Sequence, residues 1–162
     1  MNVPLIKSPL VALLQQPGIE VLTMRGERAI LKSILIVDDS SAIRKGLRNL
    51  LSNDTGVKVC GEATNGKEAI ERARELHPDV IVLDVSMPVL NGLQAAPVLH
   101  QMLPETAIIL FTSYGNAVAS HGTTPGIDAI ISKDEGATNL LETIHTLATN
   151  HEDPSSSNPK FN

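Results

Sequence analysis

Five side chains have the types and placement needed for chemistry: Asp38, Asp39, Asp84, Thr112 and Lys133. The first two follow the aliphatic run ILIV, Asp84 follows VIVL, Thr112 follows AIILF and Lys133 follows AIIS. Two carboxylates about 4 Å apart repel by roughly 4 kcal/mol at an effective dielectric of about 20. Three gathered at one place therefore need protonation, separation or a cation. A hard divalent ion resolves the conflict. Mg²⁺ takes oxygen ligands in near-octahedral geometry and retains waters, which suits one or two carboxylates plus an incoming phosphoryl oxygen. The Lys133 ammonium can neutralise a second phosphoryl oxygen, and the Thr112 hydroxyl can donate to a third. This set suits phosphoryl transfer onto a carboxylate, where catalysis is mainly positioning and charge neutralisation. Singly, each residue has a plainer use, an Asp as a helix cap or turn former and a Lys as a solvated charge. Their joint placement favours chemistry.

Gathering them requires a sheet. Short aliphatic runs typical of strands buried on both faces occur at Ile34 to Val37, Val57 to Cys60, Val80 to Asp84, Ala107 to Thr112 and Ala129 to Ser132. Segments with helical spacing follow them. Ile43, Leu47, Leu50 and Leu51 share one helical face, with Ser40 or Ser41 as its cap. Ile70, Ala73 and Leu76 mark a second helix, ended by His77-Pro78. A third runs from Gly92 to Leu103, where Pro97 should kink it unless it starts late. Leu140, Leu141, Ile144 and Leu147 mark the last. Between the fourth and fifth strands, YGNAVASHGTTPGI predicts a short or frayed helix. The alternation predicts an α/β fold, a doubly wound five-stranded parallel sheet with helices on both faces. Right-handed crossovers place every strand's carboxyl end along one edge, beyond which sites form.

Composition narrows the field. The chain has 162 residues, a length that favours one domain with short extensions. With 42% apolar and 2% aromatic residues, its core must be aliphatic. A net charge of −5 supplies no general field for phosphate backbones and argues against direct nucleic-acid binding. Cys60 alone excludes an internal disulfide framework or a multi-cysteine zinc site. No apolar run is long enough to cross a bilayer or to serve as a secretory signal, so the expected location is cytoplasmic, away from membranes. Residues 1–33 show no sustained period and are read as an N-terminal extension, either a real arm or an upstream start ahead of Met24. Residues 34–149 are read as the folded domain and 150–162 as a disordered tail.

The runs ILIVDDS, DVIVLDVSMPVLNGL, ILFTS and IISKDEG, with Pro88 and the Asn91-Gly92 turn, closely resemble in order and spacing the receiver domain of bacterial two-component response regulators. The resemblance covers about Ser33 to Thr149. It implies a flavodoxin-like sheet with strand order 2-1-3-4-5. It implies Asp84 as phosphoacceptor, attacking the phosphohistidine of a sensor histidine kinase, a phosphotransfer protein or a small phosphodonor. Asp38, Asp39 and Asp84 would hold Mg²⁺ together with the backbone carbonyl of Ser86. Thr112 and Lys133 would bind the phosphoryl group and relay its arrival. Ser86 and Tyr114 occupy positions that influence aspartyl-phosphate hydrolysis in the family. The expected protein is a stand-alone response regulator that signals to a downstream protein target. It assists its own phosphorylation and dephosphorylation but is no enzyme toward an outside substrate. A homodimer stays open.

Three departures accompany the resemblance. Ile130 stands where receivers commonly carry an aromatic residue. Asp134 follows the lysine in place of the usual proline, a KDEG variant resembling receivers of helix-turn-helix regulators. Glycines and Pro125 crowd the region of the fourth helix. One rival is a pseudo-receiver acting as a phosphorylation-independent interaction module, although the acidic set and Lys133 are intact. The other is a nucleotide-binding enzyme. Gly61 to Lys67, GEATNGK, fits part of a phosphate-binding loop, but Glu68 replaces the Ser or Thr needed there. The five histidines form no close ligand pair and read as solvated or capping residues.

Overall fold

Alternate aliphatic side chains point to opposite faces of a strand, so runs that are apolar at every position must be covered on both sides. The computed structural model, which describes residues 20–22, 28–113 and 125–149, meets that requirement. Its strands are β1 (Glu20–Leu22), β2 (Arg28–Ile30), β3 (Lys32–Val37), β4 (Val57–Ala63), β5 (Val80–Leu83), β6 (Ala107–Thr112) and β7 (Ala129–Ser132). Its helices are α1 (Ser41–Ser52), α2 (Gly66–Leu76), α3 (Gly92–Met102) and α4 (Ala137–Thr149), with a 3₁₀ turn at Lys133–Glu135. The main sheet is parallel, in the order β4-β3-β5-β6-β7, which is 2-1-3-4-5 when its five strands are counted along the chain.

Each face has its own core. Leu35, Val37, Ile81, Leu83, Ile108 and Leu110 pack with Ala69 and Ala73 of α2 and Ala95, Ala96 and Leu99 of α3. Ile34, Ile36, Val80, Val82, Ile109 and Phe111 pack with Leu47 and Leu51 of α1 and Leu140 and Ile144 of α4. The small alanines of α2 and α3 let those helices lie close to the sheet, and burial of the large aliphatics supplies the driving force. The Ser40 side chain caps α1 by accepting from Ile43 N. His77, with φ 45°, ends α2 in the left-handed conformation just ahead of Pro78.

Several expectations change. β4 runs on to Ala63 rather than stopping at Cys60, and the register shifts between Ile34 and Leu35, leaving Cys60 as an extra residue. That bulge interrupts the alternation by which the strand would be read. α3 runs from Gly92 to Met102 with Pro97 inside it, as the spacing predicts, and does not start late. Pro97 lies on the exposed side, where a carbonyl released from the helix ladder can turn toward water. The reciprocal bonds of the Asn91–Gln94 capping box hold the helix start. Within the expected extension, β1 and β2 pair antiparallel. Three residues are too few for a strand to show a period. Tyr114, most of the segment around it (114–124) and the tail 150–162 lie outside the described residues.

Candidate acidic site at the carboxyl edge of the sheet

The ladder continues one residue past the ends of β3 and β5. Asp38 N donates to Ala63 O at 3.1 Å and Asp84 N donates to Val37 O at 2.8 Å. These two bonds set Asp38 and Asp84 side by side, each almost wholly buried. Asp39, one residue on, is exposed. Each of the three offers a carboxylate oxygen, and these oxygens lie within 4.8 Å of one another.

Lys133 reaches this group from the end of β7. Its Nζ lies 2.6 Å from Asp38 Oδ2 and 3.2 Å from Asp84 Oδ1, with its side chain 15% exposed. Ser40 N donates to the other Asp38 oxygen at 2.8 Å. Thr112 is fully buried at the end of β6, in register with Ser132, the residue before the lysine. Ser86 is exposed in the loop between β5 and α3. The sheet edge thus brings Asp38, Asp39, Asp84 and Lys133 together. Thr112 stands at the same edge, and Ser86 lies two residues beyond Asp84.

Burial pushes the Asp84 carboxyl above the ordinary carboxylate range; Lys133 opposes that and the Asp38 charge adds to it. Burial alone would lower the Lys133 ammonium, but its contacts with Asp38 and Asp84 hold it above the usual lysine range. One partly buried cation between two buried carboxylates is an under-neutralised arrangement. It has room in its charge balance for a divalent ion, and its all-oxygen donor set fits a hard one.

Gly92 fixes the approach of α3. A Cβ there would lie 2.1 Å from the carbonyl oxygen of Asp84, closer than any side chain can sit. The helix start therefore abuts the backbone of the central carboxylate, and Gly92 N donates to Val85 O at 3.0 Å. Sequence reasoning placed Gly92 in a turn but could not see this contact. It also missed Arg44, whose Nη1 donates to the Asp38 carbonyl oxygen at 2.7 Å. An arginine six residues after an aspartate carries no local signal of that bond.

The loop reading of Gly61 to Lys67 does not match this geometry. Gly61, Glu62 and Ala63 belong to β4, leaving only Thr64 and Asn65 before α2. Gly66 N donates to Leu90 O at 2.8 Å rather than facing an open cradle. Glu68 accepts from Thr64 N and Oγ1, each at 2.8 Å. Among the described residues the peptide bonds are all trans, including Lys133–Asp134, and the Ser132 hydroxyl accepts from Asp134 N to close the KDE turn.

Comparison with known proteins agrees with this architecture. The family model of the response regulator receiver domain matches residues 34–145. The protein-glutamate methylesterase/protein-glutamine glutaminase 1 of Methanosarcina acetivorans is 46% identical over 79 residues, covering 49% of this chain and 22% of that protein. The transcriptional regulatory protein LnrK of Bacillus subtilis is 31% identical over 115 residues, covering 70% of this chain and 52% of LnrK. Among solved structures, the response regulator domain of Thermotoga maritima CheB superposes with a TM-score of 0.67 at 34% identity, covering 76% of this chain and 99% of that one. The chain thus spans 22% of one curated relative and 52% of the other. A sheet of this order, with its acidic edge and a family match across most of it, places the chain in the response regulator receiver domain family.

Proposed function

We propose that the chain is a phosphorylation-controlled signalling domain of a cytoplasmic two-component system, in which Asp84 accepts a phosphoryl group from a sensor histidine kinase or a phosphotransfer protein. The observation that carries this reading is the placement of two buried carboxylates against one partly buried lysine, with a third carboxylate within 4.8 Å. Asp38, Asp39, Asp84 and the Ser86 carbonyl would hold Mg²⁺, which when bound neutralises charge shared by the carboxylates and the phosphoryl oxygens. An Asp84 carboxylate oxygen attacks phosphorus and forms an O–P bond. The P–N bond to the donor imidazole breaks, its electron pair stays on nitrogen, and a solvent proton completes the neutral ring. Lys133 exchanges its contact with Asp84 for a phosphoryl oxygen, and the Thr112 hydroxyl donates to another. Ionised Asp84 is the nucleophile, so any cation that offsets its burial favours the reactive form.

Output in this reading runs through protein contacts with a downstream target. The methylesterase, glutaminase and transcriptional activities named for the relatives belong to longer proteins, so the stand-alone expectation draws no support from them. The direct test is incubation with acetyl phosphate and Mg²⁺, read by intact mass. The wild type should gain one phosphoryl group, and Asp84→Asn should gain none. An unchanged wild-type mass, under conditions that modify a control receiver, would favour a phosphorylation-independent interaction module instead.

A further inference from the structure

Beside the acidic site lies an ion-pair chain that no step above uses. Arg44 of α1 is 15% exposed in its side chain and divides its guanidinium between two acceptors. Nη1 donates to the Asp38 carbonyl oxygen at 2.7 Å, and Nε donates to Glu62 Oε2 on β4 at 3.0 Å. Arg48, one turn along α1, donates to the other Glu62 oxygen at 2.6 Å and is 46% exposed. Burial would raise the Glu62 carboxyl, but the bonds from Arg48 and Arg44 hold it below the ordinary range.

The Asp38 carbonyl belongs to the peptide that joins Asp38 to Asp39. Fixing that carbonyl fixes the plane on either side of which the two carboxylates leave the backbone. A guanidinium suits this task because its planar fork can serve two acceptors in fixed directions. We propose that Arg44 is a positioning residue for the acidic site: anchored by Glu62, it holds the Asp38–Asp39 peptide so that both carboxylates meet Asp84. This rests on the divalent-ion reading given under Proposed function.

Charge and position predict opposite signs here. Removing a cation near three carboxylates should tighten Mg²⁺ by Coulomb's law. Losing the orientation of the ligands should weaken it, and losses of supporting hydrogen bonds around metal ligands run at about tenfold or more. Calorimetric titration of the full chain with Mg²⁺ alone separates the two. Arg44→Gln should bind Mg²⁺ roughly tenfold more weakly than wild type. Arg48→Gln loses its own bond to Glu62 but makes none to Asp38, and should stay within about twofold. Equal or tighter binding by Arg44→Gln, or an equal loss in Arg48→Gln, would overturn the assignment.

If Arg44→Gln does not fold, judged by amide NMR dispersion, Glu62→Asp decides, because it keeps the charge. It leaves Arg44 in place but draws its anchoring carboxylate back by one methylene, and should weaken Mg²⁺ by about threefold; unchanged binding would overturn the proposal. A wild type that binds no Mg²⁺ at all would instead remove the divalent-ion reading, and with it this one.

Discussion

At the scale of single residues, the site is held together by groups that oppose folding as well as groups that support it. Asp84 has its carboxyl raised by burial, so the folded chain binds its proton more tightly than the unfolded chain does. The stability linked to that proton is present at pH values below the unfolded carboxylate range and is lost as pH rises through the folded value. At neutral pH without a cation, Asp84 therefore destabilises the domain. Asp84→Asn should be more stable than wild type by on the order of 1 kcal/mol at pH 7, with the gap closing toward pH 4. Lys133→Met should act in the opposite direction. It leaves Asp38 and Asp84 facing each other without their shared cation, and should lose roughly 2 kcal/mol at pH 7. Urea denaturation of the three metal-free proteins at acid and neutral pH checks both signs. Two destabilised variants would mean that Asp84 is a structural group rather than one strained for chemistry.

At the scale of elements, the informative contact is between α3 and the backbone after β5. A Cβ on residue 92 would sit 2.1 Å from the Asp84 carbonyl oxygen, so Gly92→Ala must push the helix start away from the sheet. The expected loss is about 1–3 kcal/mol, as for overpacked interiors. Because the displaced peptide is that of Asp84, phosphoryl incorporation from acetyl phosphate should slow as well. Asn91→Ala at the same helix start removes the capping box but no contact with Asp84. It should cost about 1 kcal/mol and leave incorporation near wild type. Measuring the melting temperature and incorporation rate of both variants separates a loosened helix from a displaced carboxylate.

At the scale of the molecule, two hydrophobic clusters sandwich the parallel sheet, and their buried members lie between Ile34 and Ile144. We propose on this basis that residues 34–149, with Lys32 and Ser33 completing β3, form the folding unit, with the residues before them an extension and 150–162 a tail. A chain limited to residues 31–149 should melt cooperatively within about 3 °C of the full chain. A much larger drop would give the β1–β2 pair a part in stability. Ile109→Ala on one face and Leu110→Ala on the other should each lose about 2–5 kcal/mol, because both side chains are fully buried and close packing cannot refill the space.

The sheet and its acidic edge were readable along the chain because both depend on local pattern. Runs such as ILIV and VIVL suit a strand covered on both faces, and right-handed crossovers then send every carboxyl end to the same side. Asp38, Asp39, Asp84, Thr112 and Lys133 could be picked out together for that reason. The resemblance contributed the strand order and the part assigned to Ser86. What stayed hidden involves partners distant in sequence or departures from regular period. The bulge at Cys60 masked the far half of β4. Lys133 is 95 residues from Asp38, so the 2.6 Å bond between them is visible only once the strands are side by side. The Arg44 bond to the Asp38 carbonyl and the fit of Gly92 against Asp84 are likewise set by how α1 and α3 dock. A periodic pattern records which face a residue takes, whereas contacts of this kind depend on distances across the packed fold.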